Sequence, residues 1–153
     1  MTHFRTTRRV EFCDTDLAGI VHFANFYRYM EQAEHAFFRA LGLKIHGRLA
    51  DGTEYGWPRV AASCSFHSPA FYEQIIEIRI SIVRRSPRSL TNRYEFYRGE
   101  TRLADGEMKI AFCVFPPEGP MRSADLPEEI ASVLDTAAAG TEPLRDTEGL
   151  WDR

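Results

Sequence analysis

The chain has 153 residues, of which 44% are hydrophobic and 27% are charged, and its net charge is −3. This size fits one domain with one sizeable core, and this composition is ordinary for a globular protein. No apolar run approaches the roughly 20 residues that a membrane-spanning helix requires.

The N-terminus and the cysteines bear on the cellular compartment. The first twelve residues, MTHFRTTRRVEF, contain no apolar segment of the kind found in secretory signals. The three cysteines are scattered and odd in number, which is typical of reduced thiols and not of a disulfide framework. We therefore expect a cytoplasmic protein.

The first half of the chain predicts a strand, a turn and a long helix. Thr6–Cys13 alternates loosely, which predicts a short strand, and Asp14–His22 is rich in turn residues. From Asn25 onward, apolar residues recur at steps of three and four, which is the period of one buried helical face. Asn25 suits the N-cap of this helix and Gly42 suits its C-terminal stop. The apolar face comprises Phe26, Met30, Ala33, Phe37 and Leu41.

The second half predicts a sheet, because four strand-like runs are separated by turn residues or a short loop. The last three have short connections, which favours an antiparallel meander. A short helix follows from Leu126 to about Ala138, and the polar segment 140–153 is expected to be flexible. The sequence therefore predicts one α+β domain over residues 1–139, in which a sheet packs on a long helix. The four runs are Arg59–His67, Gln74–Arg85, Ser89–Arg98 and Arg102–Phe115.

The turn before the long helix carries a recognisable motif. Residues Glu11–Phe26 read EFCDTDLAGIVHFANF, with an Asp-Thr-Asp triplet, a Gly-containing turn and an aromatic helix start. This segment resembles the signature of the 4-hydroxybenzoyl-CoA thioesterase family, which includes the thioesterase associated with the Tol–Pal system. The resemblance continues through Ser65–Ala70 and an Arg-rich turn followed by Ser89. It covers roughly Arg8 to Phe115.

The resemblance implies a hotdog fold, in which a curved antiparallel β-sheet wraps around a long central α-helix. It also implies hydrolysis of an acyl-CoA thioester to a free acid and CoA, without a cofactor. Family members are dimers or tetramers with active sites at subunit interfaces, so we expect a homodimer or a homotetramer. The five histidines show no metal-ligand spacing, and we expect no metal.

The resemblance also assigns the chemistry to two positions. Asp16 matches the catalytic aspartate of the family, and Phe23 matches the residue whose backbone N–H binds the thioester carbonyl oxygen. Free N–H groups at a helix N-terminus stabilise the negative charge that develops on this oxygen. Asp16 either attacks the carbonyl carbon or activates a water, and the sequence leaves both open. Gly19 allows the chain to approach the ligand closely.

Three neighbouring residues are further candidates for the site. The Tol–Pal-associated branch carries a histidine where this chain has Phe23, and the histidine here is His22. His22 either assists the leaving group or has a structural role. Asn25 either caps the helix or lines the pocket, and Phe26 is expected to shape the acyl site.

An arginine cluster suggests the site for CoA. Seven of the chain's arginines lie between Arg79 and Arg102, and guanidinium groups bind phosphates in bidentate fashion. Arg84, Arg85 and Arg88 occupy the positions at which family members contact CoA phosphates, and Ser89 is expected near the pantetheine arm. The alternative is an ordinary solvated strand face.

Other functions remain open at this stage. A hotdog hydratase or dehydratase acts on similar thioesters, and an acyl-CoA-binding module keeps the fold without the chemistry. Asp16 alone is also typical of an Asx-turn before a helix. A Cys13–His22–Asp16 triad has no independent support. The acyl group, and the choice between CoA and an acyl-carrier protein, are not determined by the sequence.

Overall fold

The computed structural model describes residues 1–147, and within them strands outnumber helices. None of the helices in this part of the chain is both long and apolar enough to span a bilayer. The elements are β1 Phe4–Arg9, a 3₁₀ helix Phe12–Asp14, α1 Phe23–Ala40, β2 Gly47–Arg48, β3 Glu54–Gly56, β4 Arg59–Phe66, β5 Ile75–Ser86, β6 Ser89–Arg98, β7 Thr101–Ala111, β8 Cys113–Phe115, β9 Arg122–Ser123, α2 Glu128–Ala139 and β10 Leu144–Arg145.

The main sheet has six strands in the order β10-β1-β5-β6-β7-β4, and the pairs from β1 to β4 are antiparallel. Side chains alternate between its two faces, as the strand period requires. On β6, for example, every second residue from Leu90 to Phe96 is buried against the interior. Four short strands form a second sheet in the order β2-β3-β8-β9. The predicted α+β class is confirmed.

Helix α1 lies against the inner face of the main sheet and supplies much of the core. Its 18 residues bury the apolar face that the sequence predicts, including Phe26, Met30 and Phe37. Gly106 on β7 permits close packing at this point. A Cβ there would lie 2.4 Å from the Ser63 carbonyl oxygen and 3.1 Å from the Met30 sulfur, so the sheet and helix meet only because glycine has no side chain.

Two predicted element boundaries differ in the structure. The run Thr6–Cys13 is not one strand, because β1 ends at Arg9 and a 3₁₀ turn begins at Phe12. The run Arg102–Phe115 divides at Phe112, whose fully buried ring packs with Tyr55 and Trp57 in a second core cluster. The chain leaves the main sheet at this residue, and β8 joins the smaller sheet.

The C-terminal segment is only partly described. Its predicted flexibility and the predicted domain boundary at residue 139 stay predictions. Within the segment, Leu144 and Arg145 pair in parallel with Phe4 and Arg5 of β1. Residues 148–153 lie outside the described residues.

Strand β4 forms one edge of the main sheet. Among residues 1–147, β7 is its only partner strand. Seven of its eight residues are exposed, and Val60 and Phe66 are apolar side chains among them. An edge strand with free backbone groups and few charges is suited to pairing with another strand.

Candidate active site

The loop between the 3₁₀ helix and α1 closes on itself like a small hairpin. The His22 N–H donates to the Asp14 carbonyl oxygen at 2.9 Å, and Thr15 forms a bridge with Val21. At the loop tip, Gly19 has a φ of +80°, in the left-handed region that favours glycine. Its N–H donates to the Asp16 carbonyl oxygen at 2.9 Å, which completes the turn.

Asp16 lies on the exposed side of this loop. Its Oδ1 accepts a hydrogen bond from the Ala18 N–H at 2.8 Å, which is the Asx-turn expected from the sequence. No donor within residues 1–147 contacts its Oδ2 in a hydrogen bond. The turn therefore orients the carboxylate through one oxygen and leaves the other oxygen available to a substrate.

The first turn of α1 is capped by His22, and the predicted cap at Asn25 is wrong. His22 Nδ1 accepts from the Ala24 N–H at 3.1 Å, and its ring stacks on Phe23 with 4.7 Å between centroids. Asn25 instead donates from Nδ2 to the Asp14 carbonyl oxygen at 2.8 Å. With Nδ1 used as an acceptor, the neutral His22 ring carries its proton on Nε2.

The backbone N–H of Phe23 has no acceptor among residues 1–147. It belongs to the first residue of α1, where the N–H groups have no partner within the helix. The Phe23 side chain is 61% exposed, so the start of the helix is open to a ligand. A donor at this place also has the favourable field of the helix dipole for an anion.

A cavity of about 490 Å³ is lined by Asp16, Phe23 and Phe26, whereas Gly19, His22 and Asn25 are not among its lining residues. Its wall is mostly apolar, and the Phe66 ring lies 6.4 Å from that of Phe23 and 5.5 Å from that of Phe26. The sequence did not assign Phe66 or the following residues to the site, although Ser65–Ala70 is part of the family resemblance. The lining residues are Asp16, Ile20, Val21, Phe23, Phe26, Phe66, His67, Ser68, Pro69 and Ala70.

The predicted CoA-binding residues do not meet Asp16 within one chain. They lie at the β5–β6 turn, whereas the other end of β6 packs against the start of α1 through Phe96 and Phe26 at 5.2 Å. Seven residue steps along a strand correspond to roughly 23 Å. The residues separated in this way from the start of α1 are Arg84, Arg85, Arg88 and Ser89.

Two of these arginines already have acidic partners. Arg85 pairs with Asp135 of α2, and Arg88 Nε lies 2.7 Å from Asp125 Oδ1. Arg84 is exposed on β5. Exposed ion pairs of this kind are weak and exchange readily, so they leave the guanidinium groups accessible to a phosphate.

A buried ionic cluster lies elsewhere along α1. Glu34 is 2% exposed, and its carboxylate accepts hydrogen bonds from Arg59 Nη2 at 2.7 Å and Tyr94 Oη at 3.1 Å. Arg59 also pairs with Glu31 at 3.4 Å. Burial raises the pKa of the Glu34 carboxyl, although Arg59 and Tyr94 oppose this effect.

Comparison with known proteins identifies the family of this chain. The thioesterase superfamily model, 4HBT, matches residues 18–104, which is more than half of the chain. An esterase assigned by similarity in Aquifex aeolicus is 30% identical over 127 residues, which cover 83% of this chain and 94% of that protein. The 4-hydroxybenzoyl-CoA thioesterase of a Pseudomonas species is 30% identical over 92 residues, covering 60% and 65% of the two chains.

A solved structure of a thioesterase is also similar to this chain. A gentisyl-coenzyme A thioesterase superposes with a TM-score of 0.72 and 30% identity, over 83% of this chain and 98% of its own. The family match includes all of α1 and the strands from β2 to β6. The chain therefore belongs to the thioesterase superfamily and is a hotdog-fold thioesterase.

Proposed function

We propose that this protein hydrolyses acyl-CoA thioesters to a free acid and CoA, with Asp16 as the catalytic carboxylate. One observation carries the proposal: Asp16 and Phe23, whose backbone N–H has no acceptor among residues 1–147, line the same mostly apolar cavity. A thioester in this cavity would have an acid near its carbonyl carbon and a donor near its carbonyl oxygen.

The reaction requires stabilisation of charge on the carbonyl oxygen. The Phe23 N–H donates to this oxygen, and the α1 dipole favours the negative charge that develops there. Asp16 acts in one of two ways. As a nucleophile it forms a C–O bond while the C–S bond breaks, and water then hydrolyses the mixed anhydride. As a general base it removes a proton from a water that attacks the same carbon. In both cases CoA leaves as a thiolate that takes up a proton.

His22 supports the site mainly through structure in this account. Its Nδ1 is occupied by the Ala24 N–H, so the residue fixes the first turn of α1 that presents the Phe23 N–H. The Nε2–H group is the remaining donor of the ring, and it donates a hydrogen bond either to water or to the substrate. The two roles proposed for His22 thus use different nitrogens of one ring.

The acyl group that fits this cavity best is aromatic. Phe66 meets Phe23 and Phe26 edge to face, with interplanar angles of 80° and 66°. Planar rings pack well into such an arrangement, and each pair contributes about 0.5–1.5 kcal/mol beyond its buried area. The 4-hydroxybenzoyl and gentisyl groups in the names of two similar proteins are also aromatic.

A second copy of the chain completes the CoA site in this proposal. Strand β4 begins beside the end of the sheet that carries the β5–β6 turn, since Arg59 and Leu90 both pair with Ile110. It ends at Phe66, which lines the cavity. If β4 pairs in antiparallel fashion with β4 of a second chain, the β5–β6 turn of that second chain comes close to the Phe66 end of the first chain's β4. This is the end at which Asp16 lines the cavity. Arg84 and Arg88 of one chain would then bind the CoA phosphates at the other chain's site.

A substrate panel tests the activity. Purified protein is mixed with hydroxybenzoyl-CoA, acetyl-CoA, octanoyl-CoA and palmitoyl-CoA, and released thiol is measured with a thiol-reactive dye. We expect the aromatic ester to give a kcat/KM at least tenfold above the others, as one well-filled apolar pocket allows. Absence of thiol release with all four esters would refute hydrolysis. Hydration of the double bond of crotonyl-CoA, measured as a loss of its absorbance, would favour the hydratase alternative, as would formation of that double bond from 3-hydroxybutyryl-CoA.

A further inference from the structure

We propose that Asp14 is a positioning residue of this thioesterase site, and that Tyr29 is its partner. Together they fix the loop that carries Asp16 against the helix that presents the Phe23 N–H. The inference rests on the proposed function, because it concerns the same two reacting groups. It assigns a role to the first acid of the Asp-Thr-Asp triplet, whose side chain is directed away from the cavity that Asp16 lines.

The Asp14 side chain is held inside the protein by several donors. Asp14 is 8% exposed, and its Oδ2 accepts from Tyr29 Oη at 2.8 Å and from the Glu11 N–H at 2.9 Å. Arg8 adds a positive charge, with Nη2 at 3.9 Å from the same oxygen. A buried carboxylate with these partners resists movement, since each lost hydrogen bond leaves a polar group unsatisfied.

Tyr29 links this carboxylate to the second turn of α1. Its ring is 1% exposed, and the Arg8 guanidinium lies over it at 5.5 Å from the centroid. The pKa of the Tyr29 hydroxyl is raised, mainly by burial and secondly by the hydrogen bond to Asp14. The hydroxyl therefore keeps its proton and remains a hydrogen-bond donor. Asp14 is therefore tied to the body of the helix and not only to its first residues.

The backbone of Asp14 acts on the other side of the loop. Its carbonyl oxygen accepts from the His22 N–H at 2.9 Å and from Asn25 Nδ2 at 2.8 Å. One residue thus connects the 3₁₀ helix, the first turn of α1 and the second turn of α1. Asp16 is two residues away along the chain, and Phe23 follows His22 directly.

This arrangement predicts a kinetic role. If the clamp formed by Asp14 and Tyr29 is lost, the loop is free to shift relative to the start of α1. A displacement of about 1 Å between reacting groups is enough to lower turnover about a hundredfold. Substrate binding depends on the cavity wall and on CoA contacts, so KM changes little.

The simpler alternative is that Tyr29 only stabilises the fold, and the chain offers a matched control. Tyr94 is also a fully buried tyrosine whose hydroxyl donates to a buried carboxylate, that of Glu34, at 3.1 Å. It lies on β6 and does not line the cavity. Tyr29→Phe and Tyr94→Phe therefore each remove a hydroxyl of a buried tyrosine that donates to a buried carboxylate.

The experiment compares Tyr29→Phe, Tyr94→Phe, Asp14→Asn and Asp14→Ala by kcat, KM and Tm. We expect Tyr29→Phe to lower kcat about tenfold with KM within about twofold, while Tyr94→Phe keeps the wild-type kcat at a similar loss of Tm. Asp14→Ala should lower kcat more than Asp14→Asn, since the amide oxygen still accepts both hydrogen bonds. If Tyr29→Phe and Tyr94→Phe both retain the wild-type kcat, the positioning role is refuted.

A double variant separates this inference from the proposed function. If Tyr29 acts through Asp16, Tyr29→Phe should cause no further loss of kcat in the Asp16→Asn background. An independent tenfold loss in that background would overturn the coupling to Asp16. A wild-type kcat for Asp16→Asn itself would instead refute the proposed mechanism, whatever Tyr29→Phe does.

Discussion

Asp16 and Phe23 line one cavity although six residues lie between them along the chain. The loop folds back through the bridge between Thr15 and Val21, so its two ends meet at the start of α1. A carboxylate on a turn and an N–H at a helix N-terminus are both short-range features of sequence. The carboxylate and the N–H come to the same cavity only because the loop between them is closed.

Gly19→Ala should damage the site through the loop. The residue has a φ of +80°, and an alanine there costs about 1–2 kcal/mol because its Cβ disfavours this conformation. Gly42 is a matched control, since it has a φ of +72° and open space around it at the end of α1. We expect similar losses in the free energy of unfolding and a lower kcat only for Gly19→Ala. Equal kcat values for the two variants would contradict this.

The stability of the protein should depend on pH through Glu34. Its pKa is raised in the folded state, so between the ordinary value of 4.5 and the folded value the folded protein binds more protons than the unfolded chain. The contribution of Glu34 to stability is therefore complete below 4.5 and is lost as the pH rises through the folded pKa. Glu34→Gln should remove this decrease of the free energy of unfolding with rising pH.

Urea unfolding at a series of pH values measures the effect. Glu31→Gln serves as the control, because Glu31 pairs with the same Arg59 while its side chain is 53% exposed. Repulsion by Glu31 is the smallest of the causes that raise the pKa of Glu34, so the control should keep most of the wild-type dependence on pH. A Glu34→Gln curve parallel to the wild-type curve would show that Glu34 does not carry this dependence.

A charge on the free edge of β4 should prevent self-pairing. Ala62 lies in the middle of this exposed strand, and a lysine there would face its own copy in an antiparallel pair. We expect Ala62→Lys to sediment as a monomer with at least tenfold lower activity. Ala50→Lys, an exposed substitution in a loop, should keep the wild-type assembly. A fully active Ala62→Lys monomer would exclude a shared site.

Mixing two inactive variants should restore activity if the site is shared. Arg84→Ala with Arg88→Ala removes the phosphate contacts but leaves Asp16, and Asp16→Asn does the reverse. A mixed dimer holds one site with both an intact Asp16 and intact arginines. We expect unfolding and refolding of equal amounts of the two variants together to recover up to about a quarter of the wild-type specific activity at wild-type KM, because about half of the dimers are mixed and each mixed dimer has one intact site of two. No recovery, in samples that form mixed dimers, would show that each chain binds CoA alone.

The sequence predicted the elements that depend on local periodicity. The apolar face of α1 repeats every three or four residues, and the predicted N-cap at Asn25 lies three residues after the observed N-cap at His22. The predicted N-cap of α1 was wrong. Asparagine is intrinsically preferred over histidine as an N-cap, but the Asn25 side chain instead donates a hydrogen bond to the Asp14 carbonyl oxygen.

The site was predicted less completely, because its parts meet through long-range pairing. Phe66 reaches Phe26 only after β4 has paired with β7. The position of Arg84 relative to Asp16 follows from the order of strands in the sheet, which periodicity does not encode. The Asp-Thr-Asp motif made Asp16 the predicted catalytic residue, but it did not predict the contact between Asp14 and Tyr29, which are 15 residues apart in the sequence.

The most direct measurement is the kcat of Asp16→Asn on the best ester of the panel. Asparagine keeps the bond that Asp16 Oδ1 accepts from the Ala18 N–H, so Tm should not change. Asp51→Asn is the control, because Asp51 Oδ1 accepts from the Thr53 N–H at 2.9 Å in a similar turn far from the cavity. We expect Asp16→Asn to lower kcat about 10²–10⁴-fold, with Asp51→Asn unchanged. A wild-type kcat for Asp16→Asn would contradict the central claim.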